Sequence, residues 1–476
     1  MTPAQKTPSL VERLDALYEY DREPVTTKDL HGWKIFWATF AGENIAGTEF
    51  IIGPLFVMHG CSATAVLLGL LIGNLLAVLS WALVCAPIAV KTRLTTYWQL
   101  RKLGGPWLTV AYSAAYGAVM CILAGSMLRV SMTSIALPVE HVLGTPGQLP
   151  QAGWTALAVI VGSGIALLAV LGFEGMAIFS KMSAPWMVAV FFIAAMATLP
   201  SLGCGAFGDF WRVANEKIWI GVPSLDPNSG RPLSHWTIWH VIGFAWLCNM
   251  PQHFGMGDLT ILRYARKWQM GFCSSAGMYL GHYCAWIASG ILCAAAISRG
   301  IPTDPGPIAY LGAGIVGALC VVVAGWNVAS PTLYRAGLAL QVTTPNWSRW
   351  KVTLVVGAVM IVCACIPAIL THLDLLLATN ALLLLPLGAF IFIDIWLFPL
   401  FGLRSNYAER TGLLISWPAA SAWAAGMAAS FIAFSRGAEP IFLALPEWAI
   451  CVTLYIIFSA IQQKMVAPAE PPPAHA

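Results

Sequence analysis

The sequence predicts an all-α integral membrane protein of about twelve transmembrane helices. Two interrupted spans, five apart, point to two inverted five-helix halves among them. Three observations predict it. The chain is 58% hydrophobic and only 10% charged, whereas a soluble domain carries about 25% charged residues. Its apolar stretches recur at lengths that cross a bilayer core, which takes about 20 residues of helix. The first and the sixth of these stretches are each interrupted at the centre by glycine or proline together with polar side chains.

Residues 1–32 are polar and mixed in charge, without the apolar region that a cleaved secretory signal requires, and are expected as a cytoplasmic segment. Within them SLVERLDALYEYD pairs Ser9 with Glu12 as a capping box and repeats Leu10, Leu14 and Leu17 at helical spacing, which predicts a short amphipathic helix. The apolar spans follow at 33–58, 63–90, 106–136, 154–173, 183–202, 236–262, 270–298, 306–341, 350–371 and 373–398, making a core of 33–398. Residues 399–462 hold two further spans, at 412–434 and 441–462. The tail 463–476 is proline-rich and expected to be disordered.

The basic residues fix the expected orientation. Lys28, Lys34, Lys91, Arg93, Arg101, Lys102, Lys181, Arg263, Arg266, Lys267, Arg335, Arg349, Lys351, Arg404 and Arg410 fall in segments on the side of the N-terminus, while Arg212, Lys217, Arg231, Arg299 and Arg436 fall on the other. This bias predicts a multi-pass protein of the cell membrane with both termini cytoplasmic. With charges so distributed, the net charge of +4 gives no reason to expect a nucleic-acid partner. The expected surroundings are the lipid bilayer, and the expected state is a monomer. The twelve cysteines follow no metal-ligand spacing, and Cys363 and Cys365 form only a C-x-C inside a helix; they read as small buried hydrophobes.

An ionisable residue inside lipid is costly and faces a cavity or a partner. Span 1, WKIFWATFAGENIAGTEFIIGPLFVMHG, carries Glu43, Asn44 and Glu49 among Gly42, Gly47 and Gly53. Span 6 carries Asn249, Pro251, Gln252, His253, Gly255, Gly257 and Asp258. Span 8 carries Gly325, Asn327, Ser330, Pro331 and Thr332, and span 10 Thr379, Asn380, Pro386 and Asp394. Two discontinuous helices five spans apart point to an inverted-repeat transporter whose unwound backbone faces a solute or an ion.

Span 8 also brings a resemblance. GWNVASPTLYRAGLAL, Gly325 to Leu340, resembles the corresponding helix of cytosine permeases, and the close of span 6, GDLTILRYAR, resembles theirs. Pro386, Gly388 and Asp394 resemble the end of the tenth span, and DREPVTTKDLHGWKIF the approach to the first. Together these are similar to the nucleobase:cation symporter-1 family of cytosine, purine, allantoin and hydantoin permeases. The resemblance implies a LeuT-like fold, with a ten-helix core of two inverted five-helix repeats and two peripheral helices, and secondary active import of a nucleobase or related nitrogen heterocycle. Transport would run by alternating access, coupled to a cation, H+ or Na+, with no other cofactor. The solute would lie among spans 1, 3, 6, 8 and 10.

A flat heterocycle needs an aromatic face and a few amides at its edge. Stacking candidates are Trp246, Phe244 and Tyr116; polar candidates are Asn44, Asn249, Gln252, His253 and Asn327. The family's span-3 tryptophan is absent from AYSAAYGAVMCILAGSM, and its paired span-8 hydroxyls, which help bind sodium, fall at Asn327 and Val328. Glu43, Ser330 and Thr332 are therefore the candidates for ion coupling, with Glu43 a hard oxygen ligand, a proton carrier or, like Glu49, only an acceptor for backbone amides freed at the break. Asn44, Gln252 and Asn327 are expected to line one cavity. Two other readings stand beside this one: the same fold carrying an amine, amino acid or vitamin precursor, and an integral membrane enzyme using His240, His253 and His282.

Overall fold

The computed structural model describes residues 20, 22–144, 148–225, 230–344, 346–366 and 373–465. The expected amphipathic helix around Leu10 to Leu17 and the proline-rich tail beyond Met465 lie outside the described residues. Among those described, helix is the regular structure and only isolated β-bridges occur. Eight helices are long and apolar enough to cross a membrane, among them Ala63–Thr92, Pro106–Leu143, Trp268–Ser298 and Pro305–Gln341. Each of the other expected spans also falls on helix, including Arg349–Ala364 and Trp417–Ser435.

The interruptions read from sequence are breaks. Span 1 is two helices, Trp33–Asn44 (span 1a) and Glu49–Met58 (span 1b), joined by 45–48. Ile45 leaves the helical region at φ −101°, ψ 75°. Span 6 runs as Ile238–Leu247 (span 6a), stops at Asn249, and resumes in two short turns, Met250–His253 and Leu259–Leu262. Between those turns Met256 sits at φ +59°, a conformation uncommon for a side-chain-bearing residue.

The packing repeats itself with a shift of five spans. Span 2 lies against span 6a, and span 7 lies against span 1b; span 1a lies against span 5, and Met250–His253 of span 6 against span 10. Spans 3 and 8 pack along one another at the centre. This is the arrangement of two inverted repeats. The peripheral helices Trp417–Ser435 and Ala444–Met465 pack on each other and on span 10.

Three details differ from the sequence expectation. Span 5 begins at Gly172, not 183, because the helix continues through Glu174, Ser180 and Lys181 past the end of the apolar window. Span 8 is kinked at Ala313 and Gly314, where Gly314 takes φ +57°. Arg335, counted with the charges of the N-terminal side, lies well within span 8, is 1% exposed, and is buried among acids.

Candidate functional site at the broken helices

The two breaks meet. Asn249, where span 6a ends, places its side-chain nitrogen 3.2 Å from the Asn44 Oδ1 at the end of span 1a, and 3.4 Å from His282 Nε2 on span 7. Asn44 in turn donates to the Phe40 carbonyl, 2.9 Å away. The His282 ring stacks on Trp286, centroids 4.1 Å apart and planes 14° from parallel. The Trp286 indole N–H donates to the Glu49 carboxylate, which also accepts from Thr48 Oγ1 at 3.1 Å. A continuous polar and aromatic path thus links the last residue of span 1a to the first residue of span 1b through spans 6 and 7.

Span 7 reaches the break because it has no side chains where it crosses. A Cβ on Gly281 would overlap the Asn44 carbonyl, and one on Gly277 would lie 2.6 Å from Asn44 Nδ2. Gly281→Ala is therefore expected to lower the thermal midpoint of the purified protein, since forced overpacking costs about 1–3 kcal/mol. A midpoint equal to wild type would show that the break tolerates a wider separation.

A second cluster lies toward the side on which span 1 begins. The Arg335 guanidinium makes a two-pronged pair with Glu43, one nitrogen on each carboxylate oxygen, and reaches Asp258 Oδ1 at 2.6 Å. Trp81 Nε1 donates to the other Asp258 oxygen at 2.7 Å. Arg335 and Asp258 are each 1% exposed, and Glu43 13%. One cation is shared by two acids, in the bidentate geometry that suits arginine. Tyr116, Tyr112 and Tyr97 form a ring cluster beside it, with Tyr97 donating to the Arg335 carbonyl at 3.1 Å.

The same side is strapped shut. His31 and Arg266 exchange backbone bonds with Tyr264 and His31 at 2.8 and 3.1 Å, and Arg22 donates to the Gln341 carbonyl at 3.2 Å. The polypeptide leading into span 1 is thereby tied to the ends of spans 6 and 8.

The remaining candidates separate. Asn327 is held by span 5: Ser180 Oγ donates to its Oδ1 at 3.0 Å, and its nitrogen donates to Ser183 Oγ at 2.8 Å. It faces Gly42, where a Cβ would lie 3.0 Å from Oδ1, and it makes no bond to Asn44 or Gln252. Gln252 Oε1 is buried without a partner. His253 Nε2 donates to the Trp246 carbonyl at 3.1 Å and its ring meets Trp81 edge-on, while Trp246 Nε1 donates to Ser80 at 3.0 Å. Thr332 bonds back to its own helix at Val328, and the Ser330 hydroxyl is buried without a partner. Neither approaches Glu43, whose carboxylate is taken by Arg335. The expectation that Glu43 is an available acid therefore meets a partner, Arg335, that the sequence reading used only for orientation. His240 pairs with Glu439 at 2.7 Å, apart from His253 and His282. Among the described residues no group of three His, Cys, Asp or Glu is placed to hold a metal. His282 and Trp286, central to the path between the breaks, were not among the expected binding residues, because span 7 carries no interruption in its sequence.

No family model matches the chain, and no curated protein matches it in sequence. Solved structures do. Mhp1, a nucleobase-cation-symport-1 family transporter determined in a closed conformation with bromovinylhydantoin bound, matches 94% of this chain and 96% of its own at a TM-score of 0.67 and 14% identity. A Na+-coupled sialic acid symporter, substrate-bound and outward-open, matches 96% of each chain at 0.64 and 13%. MhsT in complex with L-phenylalanine matches 89% and 97% at 0.51 and 15%. The chain is an all-helical membrane protein with the fold of these structures, the one that the broken spans and the resemblance led us to expect.

Proposed function

We propose that the chain is a secondary active transporter that imports a small planar nitrogen heterocycle by alternating access, coupled to a cation. The observation that carries this reading is the meeting of Asn44 and Asn249 at two apposed helix breaks, backed by the stacked His282 and Trp286. Two carboxamides offer both donors and acceptors to a heterocycle edge, and the aromatic pair offers a face. One neighbour's ligand supports it, since Mhp1 holds bromovinylhydantoin, while the other two neighbours take a sugar acid and a zwitterionic amino acid. The N-terminal strap and the Arg335 cluster tie spans 1, 6 and 8 together on the side where span 1 begins. A thermal-shift panel of purified protein tests the reading. Cytosine, uracil, hydantoin or allantoin is expected to raise the midpoint, while sialic acid and phenylalanine leave it unchanged. A shift with the amino acid alone would replace the heterocycle by the alternative solute class.

For the cation, the arrangement favours protons carried by Glu49 over the role expected of Glu43. Both Glu43 oxygens are held by the Arg335 guanidinium, which Glu43 shares with Asp258. Glu49 is buried, accepts only neutral donors, and forms no ion pair among the described residues. The groups that face its carboxylate are neutral or aromatic: Thr48 beside it, Trp286 on span 7 with His282 behind it, and Cys248 on span 6, while Ser289 donates to the Glu49 backbone carbonyl. An uncompensated ion at that depth is costly, so gain and loss of a proton at Glu49 changes the energy of the span-1 break itself. Glu49→Gln is expected to abolish accumulation of solute under an inward pH gradient in proteoliposomes while leaving counterflow exchange intact. Accumulation by the variant at the wild-type level would remove Glu49 from coupling.

A further inference from the structure

The two peripheral helices carry a feature that the transport reading does not use. Trp417–Ser435 (span 11) and Ala444–Met465 (span 12) pack on each other and on span 10. Among the three lies a cavity of about 290 Å3. Thr379 and Leu382 of span 10 form one wall, and Met427 and Phe431 of span 11 another. Met427 and Phe431 are both exposed at the surface of the bundle, so the cavity opens sideways to lipid. Pro440 stands at its end toward the side opposite the start of span 1, and Glu447 stands about 10 Å deeper, at 1.5 Å per residue. None of the groups at the meeting of the breaks lines it.

Glu447 is a buried acid without a partner. It is 1% exposed, and neither carboxylate oxygen has a hydrogen-bond partner. Gly426 lets span 12 close on span 11 at this level: a Cβ on it would lie 3.4 Å from Glu447 Cγ. Ser430, one turn further along span 11, faces the carboxylate without closing a bond to it. Other acids inside the bundle are satisfied. Glu43 and Asp258 share Arg335, Glu49 accepts from Trp286 and Thr48, and the Asn406 N–H reaches both Asp394 oxygens at 3.1 and 2.9 Å. No Lys, Arg or His occurs in 373–398, 417–435 or 440–463, so these three helices supply no cation. Protonation alone does not satisfy the group, since a neutral carboxyl still holds an O–H and a carbonyl that need partners.

We propose that this cavity binds a primary amine carried on a compact apolar body. The body lies against Leu382, Met427 and Phe431, and the ammonium pairs with the Glu447 carboxylate. A neutral amine arriving through lipid takes the proton of a neutral Glu447, so the ion pair forms in place and no net charge crosses the leaflet. A lipid headgroup does not fit: phosphatidylethanolamine would bring its phosphate beside Glu447, where these helices offer no basic residue to hold it. The site has a mechanical consequence. Span 10 packs on Met250–His253 of span 6 as well as on the peripheral helices. An amine in the cavity therefore braces span 10 between the peripheral pair and the second break.

Binding tests this independently of any transported solute. The full chain in phosphatidylcholine nanodiscs is titrated with radiolabelled phenylbutylamine, with phenylbutanol as its uncharged isostere and phenylbutyrate as the anion; empty discs give the background. One amine per chain is expected to bind saturably and at least tenfold more tightly than the alcohol, and the anion is not expected to bind. Glu447→Gln is expected to weaken the amine at least tenfold, as loss of one partner of a buried charge pair does, and to leave the alcohol unchanged. Thr379→Trp, which fills the cavity and keeps the carboxylate, is expected to abolish binding of both. The two substitutions act by different means, so a folding defect in one does not decide the matter. No saturable amine binding, equal affinity for amine and alcohol, or wild-type amine affinity in Glu447→Gln would overturn the proposal. Loss of the amine in Asn249→Ala with retention in Glu447→Gln would move it to the meeting of the breaks.

Discussion

Arg335→Ala is expected to remove most of the folded protein. The side chain is 1% exposed and is the cation paired with both Glu43 and Asp258. Deleting one partner of a buried pair leaves an uncompensated charge and costs about 3–5 kcal/mol. Here two carboxylates lose their partner at once, in a protein whose total stability is on the order of 5–15 kcal/mol. Arg335→Lys is expected to recover only part of the loss, because an ammonium cannot hold Glu43 by two parallel bonds while reaching Asp258. The triple variant Arg335→Gln, Glu43→Gln, Asp258→Asn removes every charge together and is expected to fold better than Arg335→Ala. Size-exclusion yield and thermal midpoint check the series. An Arg335→Ala protein that matches wild type in both would show that the cluster contributes nothing to the fold.

Asn249→Ala is expected to lower uptake of the bound heterocycle at least tenfold while expression holds. Asn249 is part-exposed at the break, and its loss leaves Asn44 still bonded to the Phe40 carbonyl. A solute edge that loses its amide partner in a buried site pays about 1–3 kcal/mol, and each 1.4 kcal/mol is about tenfold in affinity. Asn327→Ala makes the contrast. Its bonds go to Ser180 and Ser183, so it is expected to lower the thermal midpoint with a smaller change in solute affinity. Uptake by Asn249→Ala at the wild-type rate would move the solute away from the meeting of the breaks.

The breaks were legible because they are local. Glycine, proline and polar side chains in the middle of an apolar run conflict with a continuous lipid-facing helix, and the conflict is visible without knowing any neighbour. Their spacing, five spans apart, carried the inverted repeat. Contacts between distant segments were not legible. Arg335 stands near the end of span 8, where the positive-inside count uses it only to orient the chain; its partners, Glu43 and Asp258, become neighbours only when spans 1, 6 and 8 pack. Asn327 reads as a site residue from its polarity, yet Ser180 and Ser183 satisfy it from a helix whose start lay outside the apolar window. His282 and Trp286 lie on an unbroken span, and only the missing side chains of Gly277 and Gly281 mark the face that approaches span 1. In sequence those glycines look like any others in a membrane helix.

The central claim is that a heterocycle moves through the meeting of the broken helices, driven by protons. Its most direct measurement is accumulation of radiolabelled cytosine, uracil and hydantoin in proteoliposomes, with an inward pH gradient and an inward sodium gradient imposed separately. The account predicts that at least one of the three accumulates beyond equilibrium under the pH gradient without sodium. Accumulation that needs sodium and ignores the pH gradient, or no accumulation of any of the three under either gradient, would contradict it.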